Sequence, residues 1–378
     1  MLWYFPIEAY EERYTSYLST PDGFWETFLK KNNVKYRALR GEECYCDDDE
    51  RSVGRIRVGK GQVLDTYKRC AWAMDQVKEF LLALDSGQVK DGDVLFIEDF
   101  WHPGFEALPY ARDMYGVKFK IYAWCHADSW DKTDFTYYKG MEPWKRYFEL
   151  GIARCLEGMF VADAGLKELA SDAGVSCPIY AVGTCWDTEW IRVKYGHVGD
   201  FPRDNIVVFA SRWDEDKDPE FYCNLVESVM RDRRDVKFYV TTGFEKLVSN
   251  KDSLLGIAIG MLRRYPENFD ILTNVTKANY FTFLKNAKVH FNCAHHDWVS
   301  YALLESVAMG CMPLFPDYRS FPLALQFDQE HLYVKRDLDS AKEKLYALLE
   351  YPLQKPMSHI LRRFDNSISY VANVMGLL

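Results

Sequence analysis

Asp297 and Glu305 stand eight residues apart in the stretch DWVSYALLESVAMGCMP, on either side of a strand-to-helix junction. The apolar run Val289–Ala294 before them predicts a strand. The residues after them predict a helix with Glu305 in its first turns, running through Ala308 towards Gly310. Glycine just past the last helical residue, with Pro313 soon after, is an expected stop, and Met312–Phe315 resumes as a short strand. A carboxylate near the start of such a helix can accept hydrogen bonds from vicinal hydroxyls, as the ribose-binding acid of a nucleotide site does. The pattern points at a sugar or a nucleotide.

A second group follows the apolar run Ile206–Ala210. In Ser211–Pro219 (SRWDEDKDP), Arg212 and Lys217 lie five apart in a loop that enters a helix. Two cations beside a helix N-terminus suit a diphosphate, the arginine as a bidentate fork and the lysine as a point charge. Each charge-assisted contact is worth about 1.5–3 kcal/mol, and both would stabilise a departing nucleoside diphosphate. Taken alone, the stretch reads better as a solvated loop, since Asp214, Glu215, Asp216 and Asp218 can neutralise both cations.

The elements that must position these groups alternate along the chain. Strands are expected at Leu2–Ile7, Val94–Ile97, Phe119–Trp124, Gly158–Ala162, Ile179–Val182, Ile206–Ala210, Lys237–Thr241 and Val289–Cys293. Helices are expected at Val63–Leu84, Pro143–Leu156, Pro219–Arg231 and Asn279–Asn286. The alternation implies a parallel α/β architecture. Glycine, proline and charges interrupt both rhythms near Tyr195–Asn205 (YGHVGDFPRDN). This divides the chain into two doubly wound, Rossmann-like domains, 1–198 and 199–356. A final helical segment, 357–378, returns to the first domain. Ligand is expected at the carboxyl ends of the strands.

Composition fits this reading. A chain of 378 residues is too long for one ordinary core. With 48% hydrophobic and 27% charged residues, it is globular rather than disordered. No apolar run reaches spanning length and the start lacks a signal-peptide pattern, so stable membrane association is not expected. The ten cysteines show no CxxC or Cys/His ligand spacing, which fits free thiols in a reducing cytoplasm. A net charge of −9 argues against general coating of nucleic acid, though not against a local basic patch.

Taken together, Arg212-x4-Lys217, the strand end Val240-Thr241-Thr242-Gly243, and Asp297-x7-Glu305 with Gly310 and Pro313 resemble the second domain of retaining GT-B glycosyltransferases. In that family the Arg/Lys pair binds the diphosphate, and a Glu-x7-Glu pair holds the donor. Its second acid grips the ribose and its first lies by the transferred sugar. The resemblance implies donor contacts from Arg212, Lys217, Thr242, Gly243, Asp297, Ser300, Tyr301 and Glu305. Ala123-Trp124-Cys125-His126 is similar to the strand and histidine that line the family's sugar site. Phe160–Asp163 and Ala181–Asp187 look like the strand pair before its interdomain linker. The likeness covers roughly residues 90–350. It implies a nucleotide-sugar-dependent transferase with His126, Asp297, Arg212 and Lys217 in the catalytic machinery, the nucleotide sugar as co-substrate, and no other cofactor or metal.

Three departures stand out. Asp297 replaces the family's first glutamate and is a methylene shorter, and Lys217 is followed by Asp218 rather than glycine. Ile7–Thr15 (IEAYEERYT) occupies the position of a glycine-rich turn. This opening resembles that of some phage-encoded glycosyltransferases, which would place the chain in a host cytoplasm. Arg51–Arg69 carries six cations against Asp65, with a Gly59-Lys60-Gly61 loop that can hold acceptor phosphates, or is a solvated basic face. Hence duplex DNA carrying a hydroxymethylated pyrimidine is one expected acceptor, with a flipped base and salt-sensitive binding. A saccharide, lipid-linked sugar or small metabolite is the alternative. A non-catalytic nucleotide-sugar-binding module and a sugar-nucleotide epimerase are the rival functions.

His295-His296 beside Asp297 and the acidic triplet Asp47-Asp48-Asp49 have the look of metal ligands. Adjacent strand residues point to opposite faces, however, and an acidic loop is ordinarily solvated. Trp101, His102 and Trp130 are further candidates for a ligand-lining role, against core packing.

Overall fold

A computed structural model describes residues 1–10, 13–41, 65–197, 202–295, 297–351 and 357–378, excluding the side chain of Tyr138. Contacts divide the chain into two compact units. Among the described residues, one is formed by those up to Cys185 together with Asn366–Leu378, the other by those of Trp186–Asp365. The division thus runs at Cys185/Trp186, ahead of the Gly- and Pro-rich seam.

The first unit is built on a six-stranded parallel sheet. Its strands are β1 (Leu2–Phe5), β2 (Tyr36–Ala38), β3 (Val94–Ile97), β4 (Lys120–Cys125), β5 (Gly158–Val161) and β6 (Ile179–Ala181), in the order β2-β1-β3-β4-β5-β6. Strands covered on both faces read as continuous apolar runs, and LWYF, VLFI and GMFV are buried throughout. Many of the aromatics pack here rather than at a stacking site. Tyr4 stacks on Phe96 at 5.9 Å, and Phe80 of the helix Thr66–Asp85 meets Trp3 edge-on at 5.6 Å. Such pairs add about 0.5–1.5 kcal/mol to area burial. Asp93 ties down the sheet's start: it accepts from the Met1 ammonium at 2.7 Å and from Trp3 Nε1 at 3.0 Å.

The second unit repeats the plan. Its strands are β7 (Asp204–Phe209), β8 (Lys237–Thr241), β9 (Phe269–Leu272), β10 (Ala287–Phe291), β11 (Met312–Pro316) and β12 (Leu332–Tyr333), in the parallel order β12-β11-β10-β7-β8-β9. Tyr222 of the helix Pro219–Met230 stacks on Phe209 at 4.8 Å, and Phe221 lies parallel to Tyr333 at 5.9 Å. Arg203 joins several elements. Its guanidinium donates to the carbonyls of Leu284 (2.7 Å), Ala287 (2.8 Å) and Met309 (2.5 Å), satisfying the ends of the helices Lys277–Asn286 and Tyr301–Ala308.

The final segment is not one helix. Ser358–Asp365 belongs to the second unit and Ser367–Val374 to the first. Asn366 separates them, and the flanking side chains bond far back in the chain: Asp365 accepts from Thr188 N–H (2.8 Å), and Ser367 Oγ donates to Thr184 O (2.9 Å).

In each sheet the order of connection reverses once, between β1 and β3 and between β7 and β10. In open parallel sheets, ligands bind outside the carboxyl ends of the strands at such reversals.

Candidate functional site

The loops leaving β7 and β10 meet at the second reversal, and backbone bonds lace them together. His295 N–H donates to Asp216 O at 2.8 Å, while Cys293 Sγ lies 3.3 Å from Lys217 O and 3.2 Å from Asp218 O. This lacing brings Lys217 and Asp297 together: the ammonium is 3.9 Å from Asp297 Oδ2 and 3.3 Å from Asp216 Oδ2. Arg212, 42% exposed, holds Asp214 with one arm and Asp216 with the other, the latter at 2.9 Å. The acids that made a solvated loop plausible do engage the cations, but they do so at the reversal.

Asp218 replaces the expected glycine and adopts the backbone that glycine favours, with φ +49°. It is held there from three sides. Its carboxylate caps the helix Pro219–Met230 by accepting from Phe221 N–H at 3.3 Å. It also lies 3.0 Å from His295 Nε2 and 3.1 Å from Arg336 Nε. Burial opposes ionisation, yet His295 and Arg336 outweigh it and hold this carboxyl below its ordinary range.

Glu305 is buried in the second turn of Tyr301–Ala308, because Leu303 and Leu304 turn that face into the core. Its Oε1 pairs with Lys277 Nζ at 2.6 Å. Burial first, then the Glu305 charge, push the nearby Tyr280 hydroxyl well above its ordinary pKa. Sequence reasoning missed Lys277. A lysine at a helix N-terminus, just after the Thr276 cap, opposes the helix dipole and was the available signal. Ser300 is the residue before this helix and makes no side-chain cap bond. Tyr301 opens the helix and is half-buried.

Thr242 and Gly243 follow β8. Thr242 N–H donates to Leu272 O (2.9 Å), and its hydroxyl accepts from Phe244 N–H (3.3 Å). A groove of about 470 Å³ nearby, lined by Leu272, Asn274, Val275, Asn279 and Phe283 among others, opens on the edge strand β9 and includes none of the expected site residues.

In the first unit, His126 follows β4 with Nε2 3.0 Å from Glu98 O, and its ring lies 6.1 Å from Trp124 and 5.9 Å from Tyr14. Burial lowers its pKa, so the ring is neutral and Nε2–H donates to the carbonyl. The segment that replaces the glycine-rich turn contributes Glu8, which takes Arg69 Nη1 at 2.5 Å. Arg69 Nη2 reaches Asp99 at 2.7 Å and Trp101 O at 2.5 Å. Arg69 is therefore a buried bridge and not part of an exposed basic face. Glu98 Oε2 accepts from Tyr4 OH (2.8 Å), Ile7 N–H (2.9 Å) and Ser19 Oγ (2.8 Å), and burial pushes its pKa up to about 7. Glu8, Glu98 and Asp99 were not anticipated. His102 is buried against Gln76 at 2.9 Å, Trp130 is buried, and Trp101 lies under Lys145 Nζ at 4.0 Å. His296, Asp47–Asp49 and the basic residues Arg51–Lys60 lie outside the described residues.

Among the described residues, Asp328, Glu330 and His331 place possible metal-ligating atoms within 4.8 Å of one another, away from the residues above in sequence.

No sequence-family model matches the chain. Solved structures do resemble it. A UDP-forming α,α-trehalose-phosphate synthase from Burkholderia xenovorans, in complex with glucose-6-phosphate, is 13% identical. It superposes with a TM-score of 0.60 over 83% of this chain and 78% of its own. Sucrose-phosphate synthase from Thermosynechococcus elongatus is 11% identical, with a TM-score of 0.62 over 100% of this chain and 96% of its own. A trehalose-6-phosphate protein from E. coli bound with UDP-2-fluoro glucose is 10% identical, with a TM-score of 0.60 over 81% and 78%. At these identities the likeness concerns the fold: two Rossmann-like units, each on a parallel six-stranded sheet, of the GT-B type.

Proposed function

We propose that the chain transfers a sugar from a nucleotide-sugar donor to an acceptor hydroxyl, with retention at the anomeric carbon. The observation that carries this reading is the meeting of Arg212, Lys217 and Asp297 at the β7/β10 reversal, with Lys217 3.9 Å from Asp297. The donor's diphosphate lies against Arg212 and Lys217, displacing the carboxylates that hold them in the free protein. Ser300 and Tyr301, at the start of Tyr301–Ala308, contact the donor. Glu305, anchored by Lys277, accepts from the ribose hydroxyls. Thr242 and Gly243 approach the donor from the end of β8, and Asp297 lies by the transferred sugar. His126 keeps Nε2–H on Glu98 O and offers Nδ1 to a sugar hydroxyl.

In the reaction the bond from anomeric carbon to phosphate oxygen breaks, and its electron pair leaves on the diphosphate. The two cations stabilise that charge. The acceptor oxygen attacks the same face, and its proton passes to the leaving phosphate oxygen. No base of high pKa and no metal is invoked. The fold neighbours support the donor class, since one is described as UDP-forming and another as bound with UDP-2-fluoro glucose.

The finer reading, a hydroxymethylated pyrimidine in duplex DNA, draws little from the described part of the basic stretch, because Arg69 is bound by Glu8 and Asp99. A low-salt gel shift with hydroxymethylated and plain duplexes tests it. No helix among the described residues is long and apolar enough to cross a membrane, and we place the reaction in the cytoplasm. The main test is release of nucleoside diphosphate from a panel of nucleotide sugars. Arg212→Ala and Lys217→Ala should each lower turnover at least about 10-fold, the loss of one charge-assisted contact of about 1.5–3 kcal/mol. Unchanged turnover in both variants sinks the assignment.

A further inference from the structure

We infer that the β1/β3 reversal of the first sheet is an acceptor subsite for an uncharged, hydroxyl-bearing group rather than a phosphate, with Asp99 as its contact residue. The inference rests on the transferase reading for the word acceptor, but the chemistry of the subsite stands by itself.

Placement is the first support. Glu8 follows β1, Glu98 and Asp99 follow β3, and His126 follows β4, so four polar side chains gather where an open parallel sheet binds ligands.

A count of donors and acceptors is the second. Glu98 Oε2 receives three hydrogen bonds, whereas its Oε1 and that of Glu8 receive none. Asp99, 20% exposed, accepts once at each oxygen, from Trp101 N–H at 3.0 Å and from Arg69, and each oxygen has room for another donor. His126 spends its one N–H on Glu98 O, leaving a lone pair on Nδ1. Glu98, with its pKa raised to about 7, can carry its own proton on Oε1, but Glu8 Oε1, Asp99 and His126 Nδ1 are acceptors only, so a ligand that completes them must bring O–H or N–H groups.

Charge is the third. Both arms of Arg69 are taken, and its side chain is only 4% exposed. Arg13, 5.8 Å from the Tyr14 ring, is the other guanidinium near His126, against the carboxyls of Glu8, Glu98 and Asp99. Phosphate recognition uses a free fork or a cationic excess. Arg13 shows only its contact with Tyr14, so the described residues bring a single uncommitted guanidinium here against three carboxyls and no cationic excess.

Binding to the full chain without donor, followed by saturation-transfer NMR, tests this. The pairs are methyl glucoside and methyl galactoside against glucose 6-phosphate, and 5-hydroxymethyldeoxycytidine against its 5′-monophosphate. At least one neutral probe should bind, with its phosphorylated partner at least about tenfold weaker. Asp99→Asn should weaken the neutral probe about tenfold, one charge-assisted bond, and leave UDP and GDP binding unchanged. The inference is overturned if phosphorylated forms bind as tightly as their parents, if no neutral probe binds, or if Asp99→Asn changes nothing. The wild-type comparison requires no variant to fold. Loss of the donor reading would register separately, as absence of nucleoside diphosphate binding.

Discussion

Asp216 should act against the donor, and replacing it by asparagine should tighten nucleoside diphosphate binding. Its carboxylate lies 2.9 Å from Arg212 Nη2 and 3.3 Å from Lys217 Nζ, the two groups that must turn to the diphosphate. Both contacts are partly exposed, with Arg212 42%, Asp216 21% and Lys217 12% accessible, so solvent screens them. At about 0.5–1 kcal/mol each, they impose about 1–2 kcal/mol on donor binding, or roughly 5–30-fold in affinity. Asparagine keeps the shape of the side chain and retains the backbone carbonyl that accepts from His295 N–H, while Asp214 still tethers Arg212. The loop should therefore persist, and stability should fall by no more than about 1–2 kcal/mol. Titration calorimetry with UDP and with GDP, at low and at moderate salt, reads the effect. The gain should shrink as salt rises, since the removed contacts are themselves screened. Affinity that is unchanged or weaker at low salt would show that Asp216 orients Arg212 for the donor, and the competition argument would be wrong.

Three further substitutions follow from the same geometry. At Asp218, with φ +49°, alanine pays for the left-handed backbone by about 1–2 kcal/mol and for the lost cap by about 1, while glycine avoids the first and much of the second. Calorimetry should rank wild type above Asp218→Gly and that above Asp218→Ala; the reverse order of the two variants refutes the strain account. Lys277→Met strands the buried Glu305 charge and should cost about 3–5 kcal/mol, whereas adding Glu305→Met should recover most of that in melting temperature. Glu98 holds its proton more tightly in the fold than in the unfolded chain, since its pKa rises to about 7. Its stabilising contribution is full below the unfolded carboxyl value and is lost as pH rises through about 7, so stability falls across that window. Glu98→Gln should flatten that part of the melting-temperature profile relative to wild type; identical profiles count against a protonated Glu98.

Why the sequence revealed some of this and concealed the rest follows from how far apart the interacting residues lie. The long buried strands were readable because two-sided burial writes them as apolar runs, as in Val94–Ile97 and Gly158–Val161. β2 (YRA), β9 (FDIL) and β12 (LY) were not, since short strands at the sheet edges carry too few apolar residues to separate them from loops. Asn366 shows no periodic signal because the break there is set by Asp365 and Ser367 bonding to Thr188 and Thr184, far back in the chain. Arg212, Lys217 and Asp297 could be grouped despite being 80 residues apart, because each follows a parallel strand and the topology carries every such loop to one edge of the sheet. The partners that set their chemistry lie on elements whose register sequence does not disclose: Lys277 against Glu305, His295 and Arg336 against Asp218, Arg69 between Glu8 and Asp99. Departures from a motif were the best guide to them. The aspartate standing where glycine was expected, and the acidic segment standing where a glycine-rich turn was expected, each mark a backbone or cluster that is sustained by ion pairs made elsewhere in the fold. A missing glycine in a familiar pattern is then a reason to look for the charges that replace it, not a reason to abandon the pattern.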